Sequence, residues 1–157
     1  MGAANRPHPR YRHTYEAYLV YERDNAHKHE FDGGEIFAMA GGTPRHNALA
    51  ARVSAARGRD CVTFQSDQRV RILATGRATY PDASVVCGPL DLDRADPSRC
   101  TITNPRLIVE VLSPSTEQED RGNKWHDYQR LASLEQYVLV SQTGARVERF
   151  RRQLDGS

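Results

Sequence analysis

The stretch Leu107-Ile108-Val109-Glu110-Val111-Leu112 sets one carboxylate among five aliphatic side chains. Period-two alternation puts Glu110 on one strand face with Ile108 and Leu112, and turns Leu107, Val109 and Val111 to the other. Both faces are otherwise apolar, the pattern of a strand in the middle of a sheet covered on both sides. An ionised carboxylate is costly there unless a cation or a proton compensates it. Glu110 therefore either pairs with an arginine for structural reasons or belongs to a site.

Upstream, Tyr80-Pro81-Asp82 leads into a second apolar strand, Ser84 to Cys87. A carboxylate at a strand mouth can meet one from a neighbouring strand, and two that meet either raise a pKa or take a divalent ion between them. Taken alone, Asp82 is more commonly a turn or cap residue after proline. Downstream, SPSTEQ separates LIVEVL from a helix predicted over residues 119–132, on which Asp120, Lys124 and Tyr128 fall at i, i+4 and i+8. Lys124 stands out because only it and Lys28 are lysines among 22 Lys and Arg. Arginine is a wide, always-charged fork, whereas lysine is a compact ammonium with a tunable charge. Beside a metal-bound phosphate, such an ammonium steadies charge developing at phosphorus or helps deprotonate water. On an exposed helix face it makes only a surface Asp–Lys pair worth about 0.3–0.5 kcal/mol.

Farther out, residues 1–12 read as a flexible basic arm and 13–157 as one domain. Thr14 caps a short helix, and Asp32-Gly33-Gly34 turns a hairpin spanning about 28–40. Pro44 opens a helix ending near Gly58. CVTFQS and QRVRIL read as strands or a bent hairpin, residues 88–105 as loop, and EQYVLVS and ARVERFRR as two closing strands.

Composition limits the function. With 157 residues, 38% hydrophobic and 27% charged, and no apolar run near the ~20 residues of a membrane span, the chain reads as one soluble domain with no membrane partner. A net charge of +2 is too small to require nucleic acid as a partner on electrostatics alone. Cys61, Cys87 and Cys100 are odd in number and widely spaced, so neither a disulfide framework nor a zinc knuckle is expected. The start lacks an apolar signal region. Reduced cysteines and a cytoplasmic location follow as expectations.

Together, TYPDASVVCG, NPRLIVEVLSPSTEQEDRGNKWHDYQ and LEQYVLVS, with HEFDGGEIFAMAGGTPRHN upstream, resemble the Uma-two family of restriction-endonuclease-like proteins, a branch of the PD-(D/E)XK nuclease superfamily. The resemblance covers roughly residues 12–150. It implies an α/β (α+β) fold: a mixed central sheet flanked by helices, a restriction-endonuclease-like core with an added N-terminal helix and hairpin. It also implies a metal-dependent phosphodiesterase site, with Asp82 as the Asp of the PD element and Glu110 as the acidic residue of (D/E)XK. Leu112 stands where the superfamily pattern wants lysine. The family's lysine instead sits on the next helix in D-x-x-x-K-x-x-x-Y, met here by Asp120, Lys124 and Tyr128, with Asp120 and Tyr128 in support. Glu30 matches an upstream Glu of the family, and His46 a His at the start of the following helix. Two departures are visible: the helix from Pro44 is shorter than usual, and the chain stops after RRQLDGS, leaving 145–152 as an exposed edge.

The leading expectation is thus an Mg²⁺- or Mn²⁺-dependent DNA endonuclease with metal on Asp82 and Glu110. Arg69, Arg71 and Arg77, on the segment before Asp82, are candidates for flanking phosphates. A catalytically silent DNA-binding or protein-assembly module of the same fold is the alternative. RNA and branched DNA stay open as substrates because no base-reading motif is visible. Cutting both strands of a duplex would suit a homodimer.

Overall fold

The apolar run LIVEVL forms the middle of a sheet. In the computed structural model, which describes residues 12–55, 58–153 and 155, strand β8 (Leu107–Val111) lies between two others. It pairs antiparallel with β6 (Ala83–Cys87) and parallel with β9 (Gln136–Val140). With β3 (Cys61–Gln65) and β10 (Val147–Arg151) the order is β10-β9-β8-β6-β3. Ile108, Val109, Glu110 and Val111 are all buried, so both faces of β8 are covered. Ile108 and Leu112 join Val86, Tyr128, Tyr137 and Leu139 in the main core.

A second mixed sheet, ordered β2-β1-β5-β4-β7, takes in β1 (His29–Asp32), β2 (Glu35–Ala38), β4 (Arg69–Ile72), β5 (Arg77–Thr79) and β7 (Thr101–Ile102). The hairpin is thus part of a five-stranded sheet. Its turn uses Gly33 and Gly34 at φ +56° and +85°, a pair of left-handed residues that matches the twist of the flanking strands. CVTFQS and QRVRIL are indeed strands, β3 and β4, but they enter different sheets. The stretch 88–105, read as loop, carries β7 because Thr101 and Ile102 pair in parallel with Arg69 and Val70.

Helix α1 (Tyr15–Asp24) begins where the Thr14 hydroxyl accepts the Ala17 N–H at 3.1 Å. Its Tyr15 and Tyr18 pack with Phe31 and Ala78 as a second apolar cluster. Helix α2 (Pro44–Ser54) is capped in the same way by Thr43 through the His46 N–H and lies over β3, β6 and β8. It ends before the predicted Gly58.

The predicted helix over 119–132 is divided. Helix α3 (Glu117–Arg121) stops at Gly122, whose φ −106° and ψ −103° are far from helical values, and α4 (Asn123–Tyr128) starts anew. A Cβ at Gly122 would sit 2.9 Å from the Gln118 carbonyl oxygen, so the break needs glycine.

The cysteine expectation is corrected: Cys61 and Cys87 form a disulfide. They are 26 residues apart in the chain, yet the β3–β6 register sets them directly opposite each other, which no spacing rule along the sequence detects. Cys100 is free and exposed. Strand β10 pairs with β9 alone among the described strands, as expected of an edge, and exposes Arg149 and Arg151. Arginines there discourage further strand pairing. Among the described residues no helix is long and apolar enough to cross a membrane. Of the basic arm, residues 1–11 lie outside the described residues.

Candidate active site

The β6–β8 ladder that sets Ala83 opposite Val109 brings Asp82 beside Glu110 at its end. Asp82 Oδ2 accepts the Val111 N–H at 2.7 Å, and the Asp82 N–H points at Glu110 Oε2 at 3.4 Å. Each carboxylate is thereby held by the other's strand. From α4, the Tyr128 hydroxyl donates to Glu110 Oε1 at 2.8 Å. Lys124 Nζ approaches the same oxygen at 3.4 Å.

Lys124 is ringed by acid. Its ammonium also lies 3.3 Å from Glu30 Oε1 on β1 and 3.2 Å from Asp120 Oδ1 on α3. Thr79 at the end of β5 donates to Glu30 Oε1 at 2.5 Å. His46, near the start of α2, places Nε2 3.3 Å from Asp82 Oδ2. Six elements, with Asp82 at the entry to β6, thus deliver side chains to one point, at the floor of a cleft of about 760 Å³.

Burial pushes the Glu110 carboxyl up to about 8, with Lys124 pulling it down and the charges of Asp120 and Asp82 adding to the rise. Burial raises Asp120 as well, again against Lys124. For Lys124, burial alone favours the neutral amine, but Glu110, Glu30 and Asp120 outweigh it and hold the group above its ordinary value. Lys124 is therefore an ammonium, suited to meeting negative charge and unsuited to taking a proton from water.

Asp82 and Glu110 offer hard oxygen donors. A small divalent cation commonly takes one or two protein carboxylates and completes its shell with water, which is what this pair can supply. Among the described residues no group of three or more His, Cys, Asp or Glu side chains is gathered to hold an ion by itself.

The arginine expectation needs correction. Arg69 is buried and spends its guanidinium on Asp96, Thr101 and Tyr80 at 2.9, 2.7 and 3.1 Å. Arg71 lies over the Tyr15 ring, 3.3 Å from its centroid. Arg77 is buried against Asp127 of α4 at 3.0 Å and Glu119 of α3 at 2.5 Å, with Asp32 of β1 at 3.7 Å. Alternating arginines read more often as a solvated face than as phosphate contacts, but the sheet turns Arg69 and Arg77 inward, where Arg69 is held by Asp96, Thr101 and Tyr80 and Arg77 by carboxylates. Arg77 instead ties together three segments that each carry a site residue: Asp32 lies near Glu30, Glu119 beside Asp120, and Asp127 beside Tyr128. Arg77→Met leaves those carboxylates without their cation and is expected to cost about 3 kcal/mol. The exposed Arg149→Met should change stability by less than about 0.5 kcal/mol, and denaturant titration of both variants checks the difference.

Three contributors escaped the sequence reading. Thr79 has no motif around it. Gln142 donates to the Leu112 carbonyl at 2.7 Å and accepts from Thr43 at 2.9 Å, tying the cap of α2 to the end of β8. Arg77 was singled out as a candidate for flanking phosphates, and its role as a hub was not read. Tyr128, read as orienting Lys124, bonds to Glu110 instead.

Known proteins are similar to this chain in sequence or in fold. Over residues 15–157 the chain matches the Uma2 family, described as "Putative restriction endonuclease". Among its relatives is the uncharacterized protein slr1290 of Synechocystis sp., 40% identical over 146 residues, covering 90% of this chain and 75% of that protein. The uncharacterized protein sll1609 of the same organism is 33% identical over 144 residues, covering 88% and 80%. A crystal structure from Anabaena variabilis, described as a "putative nuclease belonging to DUF820", is similar with a TM-score of 0.66 at 17% identity, over 86% of this chain and 79% of that one. That likeness concerns the fold. The match along the chain, and relatives at 40% and 33% identity, place this protein in the Uma2 family.

Proposed function

We propose that this protein is a nuclease that hydrolyses phosphodiester bonds in DNA with the help of Mg²⁺ or Mn²⁺ at Asp82 and Glu110. The observation that carries the reading is the convergence of two strand-end carboxylates with a buried ammonium 3.4 Å from one of them. A divalent ion there supplies an activated water and a Lewis acid for the phosphoryl oxygen. Lys124 meets the negative charge that builds on phosphorus in the transition state. Glu30 and Asp120 hold Lys124 in place, and Tyr128 keeps Glu110 aimed through its hydroxyl. His46 steadies Asp82. The described residues hold one such centre, and cutting both strands of a duplex would suit a homodimer. A nucleic-acid substrate favours a cytoplasmic location, where disulfides are rare, and thiol titration of protein prepared without reductant reads the state of Cys61 and Cys87.

Incubation with supercoiled plasmid and Mn²⁺ tests the reading. Wild type should nick or linearise the plasmid, and Asp82→Ala should be slower by about a hundredfold or more. Plasmid binding without cleavage by the wild type would point to a silent binding module and overturn the proposal.

A further inference from the structure

We infer that the cleft takes an unpaired nucleotide, whose base stacks on the ring of Phe37. The inference rests on the reading of this cleft as a nucleic-acid site and deepens it. In the hairpin, Phe37 is the cross-strand partner of Glu30. Residues directly opposite in an antiparallel pair point to the same face. The ring therefore stands on the side that faces Lys124, and it lines the cleft. Phe31 and Ile36 turn to the other face and pack with Tyr15 and Tyr18.

Phe37 is not a core residue: 46% of it remains exposed. From it the wall continues through Ala38, Met39, Ala40 and Gly41. One side of the cleft is thus apolar and ends in an aromatic face, while the floor carries the carboxylates and the ammonium. A nucleotide has the same division, an anionic phosphate joined to a flat base. Stacking on an aromatic ring recognises any base whose face is free, and a base inside a duplex has none to offer.

Size and charge point the same way. A volume of about 760 Å³ lies within the range of about 300–1,000 Å³ typical of small-ligand sites, enough for a nucleotide or two and far less than a double helix. Proteins that follow duplex backbones present free cations to successive phosphates. The Lys and Arg residues lining this cleft are Lys124 and Arg77, both already held by carboxylates. The cleft therefore grips little of a duplex, and the exposed Phe37 ring offers it an apolar face.

Fluorescence anisotropy with labelled oligothymidylate and with the oligo(dA)·oligo(dT) duplex, using Ca²⁺ in place of Mn²⁺, tests this. Wild type should bind the single strand at least about fivefold more tightly than the duplex. Phe37→Ala should weaken single-strand binding about tenfold and leave duplex binding within about twofold, whereas Phe37→Trp should keep wild-type affinity. Because the ring is exposed, Phe37→Ala should melt with the wild type, so a loss of affinity is not a loss of fold. The inference is overturned if Phe37→Ala binds the single strand like wild type, if wild type prefers the duplex, or if it binds neither. These readouts need no turnover. A protein that shows the Phe37 dependence but cleaves nothing loses the nuclease reading alone. One that cleaves plasmid without the dependence loses this inference alone.

Discussion

Lys124→Arg should lower the cleavage rate by about a hundredfold or more while Mn²⁺ still binds. The guanidinium keeps the charge but needs a wider, flat space, and the ring formed by Glu30, Glu110 and Asp120, each 3.2–3.4 Å from Nζ, is built around a single compact point. Metal binding persists in that variant because Asp82 and Glu110 are untouched. Lys124→Ala has a second consequence. The side chain is only 8% exposed, so this is no surface pair worth a few tenths of a kcal/mol. Its loss leaves three carboxylates without their cation, and an uncompensated buried charge costs about 3–5 kcal/mol. Part of this is recovered already below about pH 8, where the buried Glu110 takes up a proton. Plasmid cleavage rates and melting temperatures of both variants check the result. Full activity in Lys124→Ala would remove Lys124 from the site.

Glu110→Ala should weaken Mn²⁺ binding by about a hundredfold, measured by calorimetry, because one of two charged ligands is gone. Equal binding by variant and wild type would rule the site out. The pH dependence follows from burial, which holds the Glu110 carboxyl near about 8 against the pull of Lys124. Below that pH a cation must displace a proton, so affinity should climb about tenfold per pH unit and level off above pH 8. Stability of the metal-free protein runs the other way. The folded-state pKa of about 8 lies above the ordinary 4.5, so the group's contribution is fully present below pH 4.5 and is lost as pH rises through about 8. Glu110→Gln cannot ionise and should gain melting temperature relative to wild type between pH 5 and pH 9.

What the sequence by itself determined is what depends on a few neighbouring residues. Alternation in LIVEVL made β8 a central strand because an apolar residue on each face must be covered on each face. Thr14 and Pro44 marked helix starts, because a hydroxyl can satisfy an N–H three residues on and proline's missing N–H is no loss in a first turn. Gly33 and Gly34 marked the hairpin because few other residues tolerate a positive φ. A carboxylate inside an apolar strand demanded compensation whatever the fold.

What only the tertiary structure decided is which distant groups meet. Glu110 could have been compensated by any cation in an arginine-rich chain; the packing of α4 against β8 chose Lys124 and Tyr128. Arg69 and Arg77 were candidates for phosphate contacts in the sequence, yet sheet pairing turned them toward Asp96, Glu119 and Asp127. Cys61 met Cys87 through strand register. Gly122 split a predicted helix by taking a backbone conformation far from helical, and the Asp120–Lys124 contact survives across that break. Local patterns reflect interactions a few residues long, whereas partner choice is settled by the register and layering of the whole chain, which side-chain spacing does not encode.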